Sequence, residues 1–238
     1  MEAKILTQGG VLMGNLTTKQ FAAYFDHTNL KPDATKQDFA QLCAQAVQYG
    51  FAMVAINPAP VKLCAGLLKD TGVHVGAAVG FPLGQNSIRT KVFETLDAIR
   101  DGADEIDYVI NIAALKDKQY LLLEEEMRDI VSACRDNGVI SKVIIECCYL
   151  TDEEKRRMCE MARKMRPDFV KTSTGMGPSG MKVEDVRLLV AALAGEVKVK
   201  AAGSIRQLEP ALAAIEAGAQ RIGSSMTKYI VDCYAASL

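Results

Sequence analysis

Lysines and carboxylates recur inside short apolar runs, where an unpaired charge is costly. In Glu105–Asn111, alternate side chains share a face. Ile106, Tyr108 and Ile110 form a side suited to covering helices, which sends Glu105, Asp107, Val109 and Asn111 inward. In Lys142–Cys147 the same alternation groups Lys142 with Glu146. Asp168–Thr172 carries Lys171 near its C-terminal end, and in Val197–Ala201 the valines take the helical side, so Lys198 and Lys200 point inward. Asp26 and Thr28 share one face of Tyr24–Thr28.

Any one of these residues fits a structural ion pair. As a set they suggest chemistry. Lys171 and Lys200, on consecutive runs and at matching heights, repel, which lowers the pKa of at least one. A lysine that is neutral near pH 7 is a nucleophile suited to forming a Schiff base with a carbonyl. A second lysine and an aspartate can then move protons. The set describes amine catalysis on an aldehyde or ketone, with no cofactor and no metal. His27 and His74 are the only histidines, and the seven cysteines contain no C-x-x-C spacing, so metal ligands are scarce. Both histidines read as structural, and the cysteines as reduced, mostly buried thiols of a cytoplasmic protein.

Eight β-rich runs must position these groups: Tyr24–Thr28, Phe51–Ile56, Val73–Val79, Glu105–Asn111, Lys142–Cys147, Asp168–Thr172, Val197–Ala201 and Arg221–Ser224. Helical patterns fill the gaps. Thr17–Gln20 and Thr151–Glu154 read as capping boxes and Thr35 as an N-cap, while Gly50, Gly72, Gly102, Gly138 and Gly218 fall where helices should stop. Strand–helix alternation implies parallel strands with right-handed crossovers. The expectation is an α/β fold, a (β/α)8 TIM barrel formed as a single domain over residues 1–238, with a short N-terminal helix before the first strand. A doubly wound open sheet is the alternative, weakened because no G-x-G-x-x-G follows an early strand.

With 28 basic and 29 acidic residues, the chain has no global pull toward nucleic acid or anionic membranes. Its longest apolar run, Leu188–Ala194, is too short to span a bilayer. The N-terminus lacks the pattern of a signal peptide, so the glycosylation triplet Asn15–Thr17 is expected to carry no modification.

A barrel puts reactive groups at the C-terminal ends of its strands and a phosphate site after strands seven and eight. The loops Thr172–Gly180 and Ala202–Arg206 and the end of Arg221–Ser225 are rich in Gly and Ser. They can aim backbone N–H groups and helix N-termini at an anion, with Arg206 as a charged contact.

Beyond chemistry and periodicity, the motifs resemble those of the deoxyribose-phosphate aldolases. They are Asp26–Thr35, Val79–Gly84, Gly102–Asp107, Lys142–Glu146, Asp168–Gly175, Val199–Gly203 and Arg221–Ser225, in order along nearly the whole chain. The resemblance implies a class I aldolase, assembled as a dimer or tetramer, that reversibly cleaves 2-deoxy-D-ribose 5-phosphate to D-glyceraldehyde 3-phosphate and acetaldehyde. By motif position it implies Lys171 as the imine-forming lysine, Lys200 as the second lysine and Asp107 as the proton-transfer partner. Gly175, Gly203, Ser204, Gly223, Ser224 and Ser225 would contact phosphate, with Arg206 nearby, and Lys142, Asp26 and Thr28 would complete the polar lining. The chain departs from the family pattern at Ser204, where a second glycine is usual, at Met176–Gly180, and at its C-terminus, which lacks a final tyrosine although Tyr229 and Tyr234 lie close. Another Schiff-base barrel enzyme on a different phosphosugar, or a barrel that binds a phosphosugar without catalysis, are the alternatives. The second of these has no need of a neutral lysine.

Overall fold

A computed structural model describes residues 16–238, so Asn15 and the N-terminal stretch read for an export signal lie outside the described residues. A short helix α1 (Thr18–Ala22) precedes β1 (Phe25–Asn29). Then follow α2 (Lys36–Tyr49), β2 (Met53–Ile56), α3 (Val61–Leu68), β3 (His74–Val79), α4 (Ile88–Arg100) and β4 (Glu105–Val109). The second half runs α5 (Ile112–Lys116), α6 (Tyr120–Asp136), β5 (Ile140–Ile144), α7 (Asp152–Met165), β6 (Phe169–Lys171), α8 (Val183–Leu193), β7 (Lys198–Ala202), α9 (Leu208–Glu216), β8 (Arg221–Ser224) and α10 (Thr227–Ala236).

Each strand pairs in parallel with the next, and β8 returns to β1 through Phe25↔Ile222 and His27↔Ser224. That last pairing closes the barrel and removes the open-sheet alternative. The helices begin where the polar caps lie: Thr17, Thr35 and Thr151 each accept from the backbone N–H three residues on, and the residue there caps back. Gly50 closes α2 in the left-handed conformation, at φ 70°.

Apolar side chains concentrate between strands and helices. Val54, Ile106, Tyr108, Val143, Val170 and Val199 sit on the outer faces of their strands and are buried against the helical layer. The inner faces carry the charged residues, set among Met53, Val109, Ile144 and Phe169.

Two expectations about that interior need correction. Strand β5 starts two residues early and stops at Ile144, because Glu146 turns to φ 54° and Cys147–Tyr149 forms a 3-10 turn. Glu146 therefore leaves the alternation that Lys142 follows, and its carboxylate accepts from the Thr174 N–H and hydroxyl instead. Lys198 shares a face with Lys200 but sits at the N-terminal mouth, where it is exposed and its Nζ lies 5.5 Å from the centre of the Phe169 ring.

Candidate active site

Strand register builds the site. Lys171, the last residue of β6, lies level with Lys200 on β7, and Asp107 on β4 lies level with Lys142 on β5. Asp107 reaches across the barrel to all three lysines. Its Oδ2 accepts from Lys171 Nζ at 2.7 Å and from Lys200 Nζ at 2.6 Å, and its Oδ1 accepts from Lys142 Nζ at 2.7 Å. A lower tier supports this one. Lys142 also pairs with Glu105 and Lys200 with Asp26, while Arg221 Nη1 donates to Asp26 Oδ1 at 2.6 Å and to Glu105 Oε1 at 3.3 Å. Gly223 makes room for this packing, since a Cβ there would lie 3.3 Å from Lys200 Cε and 3.0 Å from Ala202 Cβ.

The cluster holds three carboxylates (Asp26, Glu105, Asp107) against four bases (Lys142, Lys171, Lys200, Arg221). One base is in surplus, and in a dry interior the surplus favours releasing a proton. Lys171 is the base so affected: burial lowers its pKa, Asp107 opposes this, and Lys200 and then Lys142 lower it further, to about 8. Burial thus outranks the lysine–lysine repulsion expected from the sequence. Burial also disfavours the charged form of Lys142, but Asp107 and Glu105 outweigh it and raise its pKa. Burial would likewise raise the Asp107 carboxyl, yet Lys142, Lys171 and Lys200 together hold it well below the usual carboxylate range.

Above Lys171 and Asp107 opens a cavity of about 510 Å³ at the C-terminal end of the barrel. Its floor includes Thr28, Ala55 and Phe81, the ring of Phe81 lying 5.3 Å from Lys171 Nζ. Its far wall is formed by Gly175, the segment Gly203–Arg206 and the end of β8. A basic group deep in a cleft, hydrogen-bonded to a carboxylate and beside Gly- and Ser-rich loops, is the arrangement of an enzyme site.

Residues 21–228 match the model of the DeoC/LacD family aldolases. The chain belongs to that family. Among curated members, this DeoC/LacD aldolase is 52% identical over 234 residues to the deoxyribose-phosphate aldolase of Bacteroides thetaiotaomicron, covering 98% of this chain and 97% of that protein. It is 53% identical over 209 residues to the deoxyribose-phosphate aldolase of Lactobacillus acidophilus, covering 88% of each. Its fold matches the tetrameric deoxyribose phosphate aldolase of Aeropyrum pernix with a TM-score of 0.86 at 29% identity, over 93% of this chain and 94% of that one.

The residues read from the sequence fall into two groups in this aldolase. Thr28, Gly175, Gly203, Ser204, Arg206, Gly223, Ser224 and Ser225 line the cavity together with Lys171 and Asp107. Lys200, Lys142 and Asp26 do not: all three are fully buried beneath it. Lys142 and Asp26, expected in the substrate lining, have the right face but are turned into the ion-pair cluster, Lys142 against Asp107 and Asp26 against Lys200. The Ser224 hydroxyl is committed to the loop, donating to Ile205 O at 2.6 Å and accepting from Met226 N at 2.9 Å. Ser204 takes a left-handed φ of 58°, a conformation that a glycine would hold without strain. Gly180 faces it, and a Cβ on Gly180 would lie 2.5 Å from Gly203 O and 2.6 Å from Ser204 Cβ.

Several residues to which the sequence assigns no role support the site of this aldolase. Arg221 and Glu105 complete the lower tier. Lys91 of α4, fully buried, donates to Val109 O at 2.7 Å and to Glu126 Oε1 at 2.6 Å, and Glu126 accepts from Asn111 N at 3.0 Å, which pins the end of the strand that carries Asp107. His27 is held between Thr227 Oγ1 and Gln45 Oε1, each at 2.9 Å. Tyr234 packs on Phe21 and donates to Leu16 O, a contact with the N-terminal helix, while Tyr229 is exposed.

Proposed function

We infer that this chain catalyses the reversible aldol cleavage of 2-deoxy-D-ribose 5-phosphate to D-glyceraldehyde 3-phosphate and acetaldehyde, through a Schiff base on Lys171. The observation that carries the reading is the amine of Lys171 at the cavity floor, with its proton affinity lowered to about 8 while it touches Asp107.

In the cleavage direction the neutral Lys171 amine attacks C1 of the open-chain sugar, an amine proton passes to the new C1 hydroxyl, and a further proton from Lys200 lets that hydroxyl leave as water, giving a protonated imine. This iminium is a strong electron sink. A base acting with Asp107 and Lys200 removes the C3 hydroxyl proton. The C2–C3 bond breaks, its electrons pass into the iminium to give an enamine, and glyceraldehyde 3-phosphate leaves. Protonation of the enamine at C2 and addition of water then release acetaldehyde and free Lys171. The wall formed by Gly175, Gly203, Ser204, Arg206 and the end of β8 holds the phosphate, fixing the sugar at its far end and lowering the orientational cost of the chemistry. Thr28 lines the sugar's path.

No helix among the described residues is long and apolar enough to cross a membrane. We read the chain as one barrel domain working in the cytoplasm as a homo-oligomer of two or four copies. Its free cysteines and its exposed Leu83, Phe93 and Leu121 support this. The test of function is release of acetaldehyde from deoxyribose 5-phosphate in the presence of a chelator. The wild type should release it and Lys171→Ala should not; no release by the wild type would reject the assignment.

A further inference from the structure

Beneath the lysines lies a tier of charge that the reaction steps do not use. Glu105 opens β4 two residues before Asp107, so it takes the same inward face nearer the N-terminal mouth. It is fully buried and meets three bases: Lys142, Arg221 and, at 2.7 Å, Nδ1 of His74. His74 opens β3, and its side chain is 44% exposed. It walls a shallow hollow of about 230 Å³ on the face opposite the cavity. Ion pairs therefore run without a gap from solvent at one end of the barrel to the amine at the other, through His74, Glu105, Lys142, Asp107 and Lys171.

We propose that Glu105 is a positioning residue that sets the protonation of Lys171, and that His74 is the group through which the N-terminal face acts on it. The proposal rests on the reading of Lys171 as the imine-forming lysine. Lys142 is divided between Glu105 and Asp107. A cation on His74 draws on the charge of Glu105, Lys142 then leans on Asp107, and Asp107 holds the Lys171 proton less firmly. The direct field of the added charge acts in the same sense. The groups facing His74 are Glu105 and Asp104 on and before β4 and Arg221 on β8, with Lys69 and Asp70 on the rim of the hollow. The bond to Glu105 favours the charged imidazole, burial opposes it, Asp104 adds to the first effect and Arg221 to the second. As pH falls, charging of His74 thus offsets part of the reprotonation of Lys171.

The test is the pH midpoint for trapping acetaldehyde on Lys171 with cyanoborohydride, read by peptide mass spectrometry. His74→Arg fixes a cation on Glu105, and His74→Gln fixes none. The midpoint of the Arg variant should lie about half a unit below that of the Gln variant. Glu105→Gln should lower the midpoint by about one unit. A merely structural role would change yield or melting temperature and leave the midpoint in place. Coincident or reversed midpoints in the two His74 variants overturn the proposal, as does an unmoved midpoint in a folded Glu105→Gln. If Glu105→Gln does not fold, the half-exposed His74 pair decides alone. Absence of label from Lys171 in the wild type would instead reject the functional reading, and this proposal with it.

Discussion

Lys171 and Lys200 donate to one and the same oxygen, Asp107 Oδ2, at 2.7 and 2.6 Å. Sharing that acceptor couples the two amines: whichever gives up its proton leaves the other sole claim on Oδ2, while Lys142 keeps Oδ1. Lys200 also has Asp26, whereas Lys171 has Asp107 alone and faces the cavity. The structure thus makes Lys171 the amine that is freed.

The first consequence is a pH dependence. With the Lys171 amine titrating at about 8, imine formation should rise between about pH 7 and 9 and level off above. The initial rate of cyanoborohydride trapping measures it. A midpoint near that of an ordinary lysine would contradict the burial argument.

The same shift costs stability. The folded pKa of Lys171, about 8, lies below that of the unfolded chain, so the cost is full at pH values below 8 and fades as pH rises toward the ordinary lysine value. It amounts to about 3 kcal/mol at neutral pH, as an order of magnitude. Lys171→Met should therefore abolish activity yet raise the melting temperature at pH 7 by about 6–12 °C. Thermal unfolding followed by circular dichroism checks this, and a lower melting temperature would refute it.

Lys200→Leu removes both the repulsion on Lys171 and the competition for Asp107 Oδ2. The trapping midpoint should move up, and turnover at pH 7 should fall about 100-fold or more, given the loss of a proton-transfer partner. Turnover near wild type would end the role assigned to Lys200.

These residues also show how far the sequence could be read. Alternation along a strand assigns a face, so the inward aim of Asp107 and Lys200 was legible. The matching height of Lys171 and Lys200 was legible too, but which inward side chain covers another was not, because that depends on packing across the barrel, which no single run encodes. The resemblance put Lys142 and Asp26 in the lining although they lie beneath it, and Lys198, read as pointing inward, sits exposed at the N-terminal mouth. Glu146 was misread because its left-handed turn has no glycine to announce it. Arg221 and His74 gave no separate signal, since each acts through a partner more than thirty residues away. The capping boxes and the helix-ending Gly50 were local, and they were read correctly.

The loops behind the phosphate wall make a further prediction. Because a Cβ on Gly180 would meet Gly203 O and Ser204 Cβ, Gly180→Ala must displace the segment that carries Gly203 and Ser204. KM for deoxyribose 5-phosphate should rise about tenfold or more, with unphosphorylated deoxyribose much less affected. Equal effects on both substrates would dissociate this loop from phosphate binding.

The most direct test of the whole account is to reduce the acetaldehyde adduct with borohydride and map it by mass spectrometry. The two-carbon label should fall on Lys171 alone and vanish in Lys171→Ala, whereas a label on Lys200, on Lys142 or on no lysine would contradict the account.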